Sequence, residues 1–352
     1  MDRRASNASS LVTAVSPFES STPHAPMHRP RILIISPAAA SANNGNWQTA
    51  WRWSRMLRSA FEVKIAQSWN GDPFDVMLAL HARRSADSIA RWAQAQGAHA
   101  NAVGLGLVLT GTDLYRDIQV DGSAKDSLGR AQRLVVLQEC GLDALPADLL
   151  YKARVIFQST ASRAAVAKTA RHLRVVTVGH LRQEKSPQTL FATASRLQSH
   201  ADIFFDHIGG PLEPELAQQA QSCAAQHPQY RWLGELSHET TLRHIQRAHV
   251  LLHTSRMEGG AHAIMEAVCS GTPVLASNIA GNVGMLGADY SGYFDHDDTR
   301  GLTDLLVRCR ADQHHNTGFY SQLKAQCDLR APLFAPATEQ SALMALVQDL
   351  LN

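Results

Sequence analysis

Short aliphatic runs alternate with amphipathic stretches along most of this chain, and this alternation constrains its fold more than any other feature. The first run, Arg31–Ser36, reads RILIIS and carries a charge only at its first position. Such an unbroken run is typical of a strand that a parallel sheet buries on both faces. Because amphipathic stretches such as Trp47–Ala60 and Ser85–Gly97 separate these runs, the sequence predicts parallel sheets with helices on both faces.

The aliphatic runs fall into two series, and the second series begins at Leu173–Gly179. The remaining runs are Val63–Ala66, Val76–Leu80, Leu105–Thr110, Leu134–Leu137 and Val155–Gln158, followed by Ile203–Ile208, Tyr230–Leu233, Val250–His253, Pro273–Ala276 and Gly292–Phe294. We therefore expect an α/β fold with two doubly wound, Rossmann-like domains. Since ligands bind at the carboxyl ends of parallel strands, the working site is expected in the cleft between the domains.

The domain boundaries follow from changes in composition. Residues 1–28 are rich in Ser, Ala, Pro and Thr and are expected to form a disordered tail. Residues 29–165 form the predicted N-terminal domain and residues 166–334 the C-terminal domain. Residues 335–352 predict a helix with an apolar stripe, which we expect to dock on the N-terminal domain.

Composition excludes several classes of function. The chain has 33 Lys and Arg against 31 Asp and Glu, a net charge of +2, which argues against a nucleic-acid partner. No apolar run reaches the roughly 18–20 residues that span a bilayer, so no membrane partner is expected. Five scattered cysteines without a C-x-x-C pair favour a reducing cytoplasm.

Two histidine and aspartate patterns resemble metal motifs, but neither predicts a metal. His249 and His253 lie on a predicted strand, where residues four apart are well separated. The segment Asp295–Asp297 precedes a predicted helix and is expected to form its N-terminal cap. Gly104–Gly106 lacks the third glycine of a dinucleotide fingerprint. We therefore expect neither a metal nor a nicotinamide cofactor.

The most informative segment is Ser255–Ala276, which predicts a strand end, a glycine turn, a helix and a further strand. Gly259 and Gly260 would let the backbone approach a ligand, and the helix start near Ala261 would suit a diphosphate. Glu258 and Glu266 flank this helix start, and carboxylates accept hydrogen bonds from sugar hydroxyls. The alternative is that Glu258 caps the helix and Glu266 is merely solvated.

A second segment, VGHLRQEKSP over Val178–Pro187, follows the first strand of the second series. Lys185 is a candidate ligand for a diphosphate, whose developing charge needs fixed cations in a water-poor cleft. The neighbouring candidates in this segment are Gly179, His180 and Arg182.

In the first half, the polar loop Ser41–Thr49 leads into an arginine-bearing helix. A polar loop at a helix start is suited to an anion, so a small anionic acceptor is expected here, with the candidates Gly45, Asn46, Gln48 and Thr49. The segment TGTDLY, with Thr112 and Asp113, follows another predicted strand and would line the same cleft. For Asp113 a role as a helix cap is an equal alternative.

The pattern E-x7-E followed by A-x-x-x-G-x-P-V resembles the retaining glycosyltransferases of family 4, which have the GT-B fold. The resemblance implies that Glu258 contacts the donor sugar and that Glu266 binds the nucleotide ribose. It implies that Lys185 binds the donor diphosphate, and since His180 stands where the family has arginine, either Arg182 or His180 completes this role. The backbone near Leu236 would read the base, by resemblance uracil.

Five segments, GNWQTAWRWSRMLR, LHARRSADSI, LTGTDLYRDI, VGHLRQEKSP and SRMEGGAHAIMEAV, narrow the resemblance to the branch of this family that serves bacterial selenoneine biosynthesis. That resemblance implies transfer of a hexose from UDP-N-acetylglucosamine or UDP-glucose to selenophosphate, with no cofactor. One alternative is an ordinary family 4 hexosyltransferase that acts on a sugar or lipid hydroxyl. Others are a UDP-sugar epimerase and a non-catalytic UDP-sugar-binding protein.

Overall fold

The computed structural model describes residues 29–38, 45–315 and 317–352 of the chain. The predicted tail, residues 1–28, and the Ser41–Asn44 part of the first polar loop lie outside the described residues. Within them, two six-stranded parallel sheets each carry helices on their faces. The predicted α/β fold with two doubly wound domains is therefore confirmed.

The N-terminal sheet has the strand order β2-β1-β3-β4-β5-β6, and all of its pairs are parallel. Its strands are β1 (Arg31–Ile35), β2 (Glu62–Ala66), β3 (Val76–Leu80), β4 (Ala102–Val108), β5 (Ala131–Val136) and β6 (Ala153–Val155). Its helices are α1 (Gly45–Leu57), α2 (Ala86–Ala95), α3 (Ile118–Val120) and α4 (Gly122–Arg130). A π-helical turn over Asp113–Asp117 leads into α3.

The C-terminal sheet has the order β12-β11-β10-β7-β8-β9 and is also parallel. Its strands are β7 (Leu173–Val178), β8 (Ile203–Ile208), β9 (Tyr230–Gly234), β10 (Val250–His253), β11 (Val274–Ser277) and β12 (Tyr293–Phe294). The helices that follow are α5 (Pro187–Arg196), α6 (Pro214–Gln226), α7 (His238–Arg247), α8 (His262–Val268), α9 (Ala280–Leu286), α10 (Thr299–Asp312), α11 (Phe319–Arg330) and α12 (Pro336–Leu351). None of these described helices is long and apolar enough to cross a lipid bilayer.

Helix α12 packs against the N-terminal domain, although the C-terminal domain precedes it in the chain. Its side chains Leu343, Leu346, Val347 and Leu350 are buried in one core with residues of β1, β3 and α1. Each such aliphatic side chain contributes about 1.5–3 kcal/mol when it is fully buried. Asp349 adds a two-pronged ion pair with Arg133 of β5, at 2.5 and 2.7 Å. The last helix is therefore a structural part of the first domain.

The two domains also meet directly at the carboxyl ends of their sheets. A Cβ atom on Gly259 would overlap the Gly111 amide nitrogen and lie 2.7 Å from the Thr110 carbonyl carbon. A Cβ atom on Gly260 would lie 2.8 Å from Cβ of Leu137. Real Cβ atoms essentially never come within 3.0 Å of another heavy atom, so both glycines are required for this contact.

Candidate active site

Two loops of the C-terminal domain lie side by side because β7 and β10 are neighbours in the sheet. The Thr254 hydroxyl donates a hydrogen bond to the Lys185 carbonyl at 2.7 Å, and the Arg256 amide donates to the Glu184 carbonyl at 2.9 Å. These bonds attach the short 3-10 turn Gln183–Lys185 to the loop that carries Glu258. Two segments that are far apart in sequence thus form one surface at the cleft.

Glu258 lies at the centre of a three-residue cluster. The Lys185 ammonium donates to Glu258 Oε1 at 2.5 Å, and Nε2 of the buried His253 lies 3.2 Å from the same oxygen. Burial alone would raise the pKa of Glu258, but the Lys185 charge and the two hydrogen bonds hold it well below its usual range. Burial lowers the pKa of His253. Glu258 is therefore a carboxylate that accepts from a neutral imidazole and an ammonium.

Glu266 lies in the second turn of α8 and is 7% exposed. Its Oε1 atom is 2.8 Å from Nε2 of His238, the first residue of α7, and this hydrogen bond raises the pKa of His238. The alternative interpretation of the two glutamates is therefore wrong. Glu266 is buried and bonded rather than solvated, and α8 begins after Ala261 without any side-chain cap from Glu258.

His180 and Arg182 differ in the charge that they can supply. The His180 Nδ1 atom accepts from the Gly210 amide at 3.0 Å, and burial lowers the His180 pKa, so the ring is neutral. The Arg182 Nε atom is buried and has no hydrogen-bond partner among the described residues; Glu184 Oε2 lies 4.0 Å away. Of the two, only Arg182 carries a permanent positive charge at this turn.

The glycines of the predicted donor loops contact protein in this structure. The Lys185 side chain lies across Gly179, where a Cβ atom would be 3.2 Å from Lys185 Cδ. Gly259 and Gly260 bring their loop against the N-terminal domain, and Ala261 is buried behind them. Leu236 is half-buried against the C-terminal core. The ligand contacts that we expected of these residues stay predictions.

On the acceptor side, Gly45 and Asn46 begin α1, and Gln48 lies in its first turn. The Thr49 hydroxyl is buried, donates to the Gly45 carbonyl at 2.8 Å and accepts from the Gln158 amide. This pair joins the start of α1 to the segment that leaves β6 for the second domain.

Asp113 is fully buried rather than exposed to the cleft. It accepts from the Thr110 amide and hydroxyl, each at 2.7 Å, and from the Ala82 amide at 2.8 Å. Asp113 thus lies inside the π-helical turn and not at its cap, so the capping interpretation is wrong in detail. Its carboxylate fixes the loop that carries Gly111 and Thr112.

His81, which the sequence did not single out, lies beside the acceptor-side candidates Thr112 and Asp113. His81 follows β3 directly, is buried, and has a left-handed backbone with φ of 73°. Its Nε2 atom lies 3.3 Å from the Thr112 hydroxyl, and its ring lies 3.9 Å from both Asp113 and Asp117. A histidine placed directly after a buried parallel strand is the signal that would have identified it.

The two patterns that resemble metal motifs have structural roles, and the cap predicted at Asp295–Asp297 is formed by the next residue, Asp298. The Asp298 carboxylate accepts from the Arg300 and Gly301 amides and caps α10, while His296 bonds the Ser186 hydroxyl at 2.8 Å. His249 Nε2 lies 2.9 Å from the Thr169 carbonyl. No cluster of three or more metal-ligating side chains occurs among residues 29–38, 45–315 and 317–352.

Lys185, Glu258 and His253 thus form one cluster at the carboxyl ends of β7 and β10, with Arg182 at the start of the turn that carries Lys185 and Glu266 on the helix α8. Solved structures share this two-domain arrangement. Sucrose-phosphate synthase from Thermosynechococcus elongatus is 16% identical and superposes with a TM-score of 0.73, covering 92% of this chain and 99% of that one. Residues 158–300 match the family model described as Glycosyl transferases group 1. The chain is a GT-B glycosyltransferase.

Two further structures resemble this glycosyltransferase at low identity. Anabaena HepE, solved with UDP and glucose, is 13% identical with a TM-score of 0.67, over 91% of this chain and 100% of that one. The pneumococcal O-GlcNAc transferase GtfA, solved with UDP and GlcNAc, is 14% identical with a TM-score of 0.57, over 79% of this chain and 57% of that one. The matched residues 158–300 of the glycosyltransferase include Lys185, Glu258 and Glu266.

Proposed function

We propose that this glycosyltransferase transfers a hexose from UDP-N-acetylglucosamine or UDP-glucose to selenophosphate and forms a 1-selenosugar for selenoneine biosynthesis. The observation that carries the proposal is the cluster of Lys185, Glu258 and His253 beside Arg182, at the cleft between the domains. UDP and hexoses in HepE and GtfA, together with the E-x7-E spacing, support a UDP-sugar donor. The five branch-like segments support selenophosphate as the acceptor.

The cluster suggests a division of roles toward the donor. Lys185 and Arg182 would neutralise the diphosphate, while the neutral His180 would offer only a hydrogen bond. Glu258 stays ionised because of its low pKa, so it would accept hydrogen bonds from hexose hydroxyls and would not act as an acid. Glu266 would accept from the ribose hydroxyls. The backbone of Gly179, Gly259 and Gly260 would pass close to the donor.

The proposed reaction needs no general base because the selenium of selenophosphate already carries negative charge. Selenium attacks the anomeric carbon, the Se–C bond forms, and the C–O bond to UDP breaks with its electron pair leaving on UDP. Water then cleaves the P–Se bond and releases phosphate. The protein contributes by holding both anions at reacting distance and by stabilising the charge on the leaving diphosphate.

The proposal is tested by mass spectrometry of the products from selenophosphate and UDP-N-acetylglucosamine, with UDP-glucose in parallel. We expect a selenium-containing hexosamine or hexose, together with UDP and phosphate. Transfer to a sugar or lipid hydroxyl with no selenium product would indicate the ordinary family 4 alternative. Conversion of the UDP-sugar alone would indicate an epimerase, and binding without turnover a non-catalytic protein.

The donor assignment predicts that Glu266→Ala raises the KM for the UDP-sugar. Hydrogen bonds to a charged group contribute about 1.5–3 kcal/mol, so the expected rise is roughly tenfold to hundredfold. Initial rates at varied UDP-sugar concentration measure it. Glu239→Ala, which removes an exposed carboxylate paired with Arg163, is the matched control and should behave like wild type. An unchanged KM for the UDP-sugar in Glu266→Ala would mean that this cleft is not the donor site.

A further inference from the structure

We propose that Arg52 of α1 binds an oxyanion of the acceptor and that Glu339 of α12 positions it. The inference rests on the proposed function in one respect, since it takes the acceptor to be a phosphate-type anion. Arg52 would be an acceptor-binding residue in the N-terminal domain, and Glu339 would give α12 a positioning role at the site.

Glu339 is a buried carboxylate that fixes Arg52. It accepts from Arg52 Nε at 2.9 Å, from Trp53 Nε1 at 2.7 Å, and from the amide and hydroxyl of Ser159 at 2.8 and 2.5 Å. Its side chain has no exposed surface. Both hydrogen bonds between Arg52 and Glu339 use Arg52 Nε, so this carboxylate does not occupy the Nη2 atom of the guanidinium.

The Nη2 atom of Arg52 is buried, and none of the described residues accepts a hydrogen bond from it. A buried guanidinium N–H without an acceptor is unfavourable, and an oxyanion ligand would satisfy it. The side chain as a whole is 19% exposed, so it can be reached by a small solute. Arginine presents its donors as a planar fork, a geometry that fits phosphate-type oxygens.

Arg52 lies on the side of α1 that faces the second domain. Thr49, one turn earlier, is bonded by Gln158, whose Oε1 atom would lie 3.6 Å from a Cβ on Gly260. Burial, reinforced by the Arg52 charge, lowers the pKa of His262 to about 3, and Glu258 and Lys185 act on the same ring. Arg52 is thus close to the loop of Glu258, but it belongs to the opposite domain.

This placement separates two anion sites. Lys185 and Arg182, the cations proposed for the donor diphosphate, both lie in the C-terminal domain. Arg52 lies across the cleft, on the helix that the N-terminal sheet presents to it. Two anionic substrates that react with each other need cations on both sides of the cleft, and His262, whose pKa burial lowers to about 3, adds no positive charge near them. A phosphate-type acceptor is therefore the ligand that Arg52 fits.

The test uses the full-length protein and the variants Arg52→Gln and Arg52→Lys, with Arg55→Gln as the control. Arg55 is an exposed arginine on the same helix. We expect Arg52→Gln to raise the acceptor KM at least tenfold and to leave the KM for the UDP-sugar within twofold. Arg52→Lys keeps the charge and should fold normally, but without the fork it should raise the acceptor KM several-fold. Arg55→Gln should match wild type.

A binding measurement separates this inference from the proposed function. Calorimetry with inorganic phosphate and UDP-saturated protein should detect binding in wild type and at least tenfold weaker binding in Arg52→Gln. If wild type makes no selenosugar but binds phosphate through Arg52, the selenophosphate assignment fails and the anion site stands. If selenosugar forms and both Arg52 variants keep the wild-type acceptor KM, the anion site is overturned.

Glu339→Gln tests the positioning role. The amide keeps the size of the side chain but loses the charge that fixes Arg52. We expect a raised acceptor KM with the kcat and the UDP-sugar KM retained, and Glu339→Asp should restore part of the acceptor affinity. A merely structural role would lower the melting temperature and leave the acceptor KM of the folded protein unchanged, which would overturn the positioning role.

Discussion

Lys185→Ala is expected to lower kcat/KM for the UDP-sugar at least 30-fold, a barrier increase of about 2 kcal/mol or more. The Lys185 ammonium is 2.5 Å from Glu258 and its methylene chain lies across Gly179, so this cation is held in place at the proposed diphosphate site. Without it, the leaving charge would be stabilised by Arg182 alone. Steady-state rates with saturating acceptor measure the effect, and Lys324→Ala, an exposed lysine of α11, is the control.

Lys185→Ala also removes the ion-pair partner of Glu258, which is mostly buried. A double variant separates the loss of the diphosphate cation from the loss of this ion pair. In Lys185→Ala, the pKa of Glu258 should rise because its strongest compensating charge is gone. If Lys185 acted only by pairing with Glu258, the double variant Lys185→Ala/Glu258→Gln would be no slower than Glu258→Gln alone. We expect the double variant to be at least tenfold slower than Glu258→Gln, because the diphosphate would also lack its cation.

Gly259→Ala is expected to reduce turnover at least a hundredfold while each domain still folds. The added Cβ would overlap backbone atoms of Thr110 and Gly111, which no side-chain rotation can relieve. The two domains must then separate, and the reacting groups on opposite sides of the cleft lose their alignment. Initial rates and small-angle scattering of the variant measure the loss of activity and the opening.

The control for this variant is Gly122→Ala, where a Cβ meets no atom within 4 Å. Its rate and scattering should equal those of wild type. UDP affinity of Gly259→Ala should fall much less than turnover, since the C-terminal cluster is intact without domain contact. Wild-type turnover in Gly259→Ala would show that catalysis does not need the contact between Gly111 and Gly259.

The fold is largely predictable from the sequence because buried parallel strands carry unbroken aliphatic runs. The predicted strands Val76–Leu80 and Val250–His253 coincide with β3 and β10. The predicted strand over Leu105–Thr110 instead ends at Val108, because the Thr110 amide bonds to Asp113. The strand predicted at Val155–Gln158 is likewise wrong in its bounds, since β6 ends at Val155 and the chain then crosses to the second domain.

The site is predictable only where one local segment contains it. Glu258 and Glu266 could be predicted from their spacing across a glycine turn. The contact between His253 and Glu258 depends on how a strand end faces the next loop, which no period in the sequence encodes. Arg52 and Glu339 are 287 positions apart, so their pairing follows from helix docking alone. Contacts set by tertiary packing leave no local pattern.

The docking of α12 also determines the order in which the chain can complete its domains during synthesis. The strands of the second sheet occupy one continuous stretch, Leu173 to Phe294, so that sheet can form as soon as it leaves the ribosome. The first core still lacks Leu343, Leu346, Val347 and Leu350 at that time. The domain made first is therefore finished last, and a chain that terminates before α12 exposes an apolar face of its first sheet and is prone to aggregation.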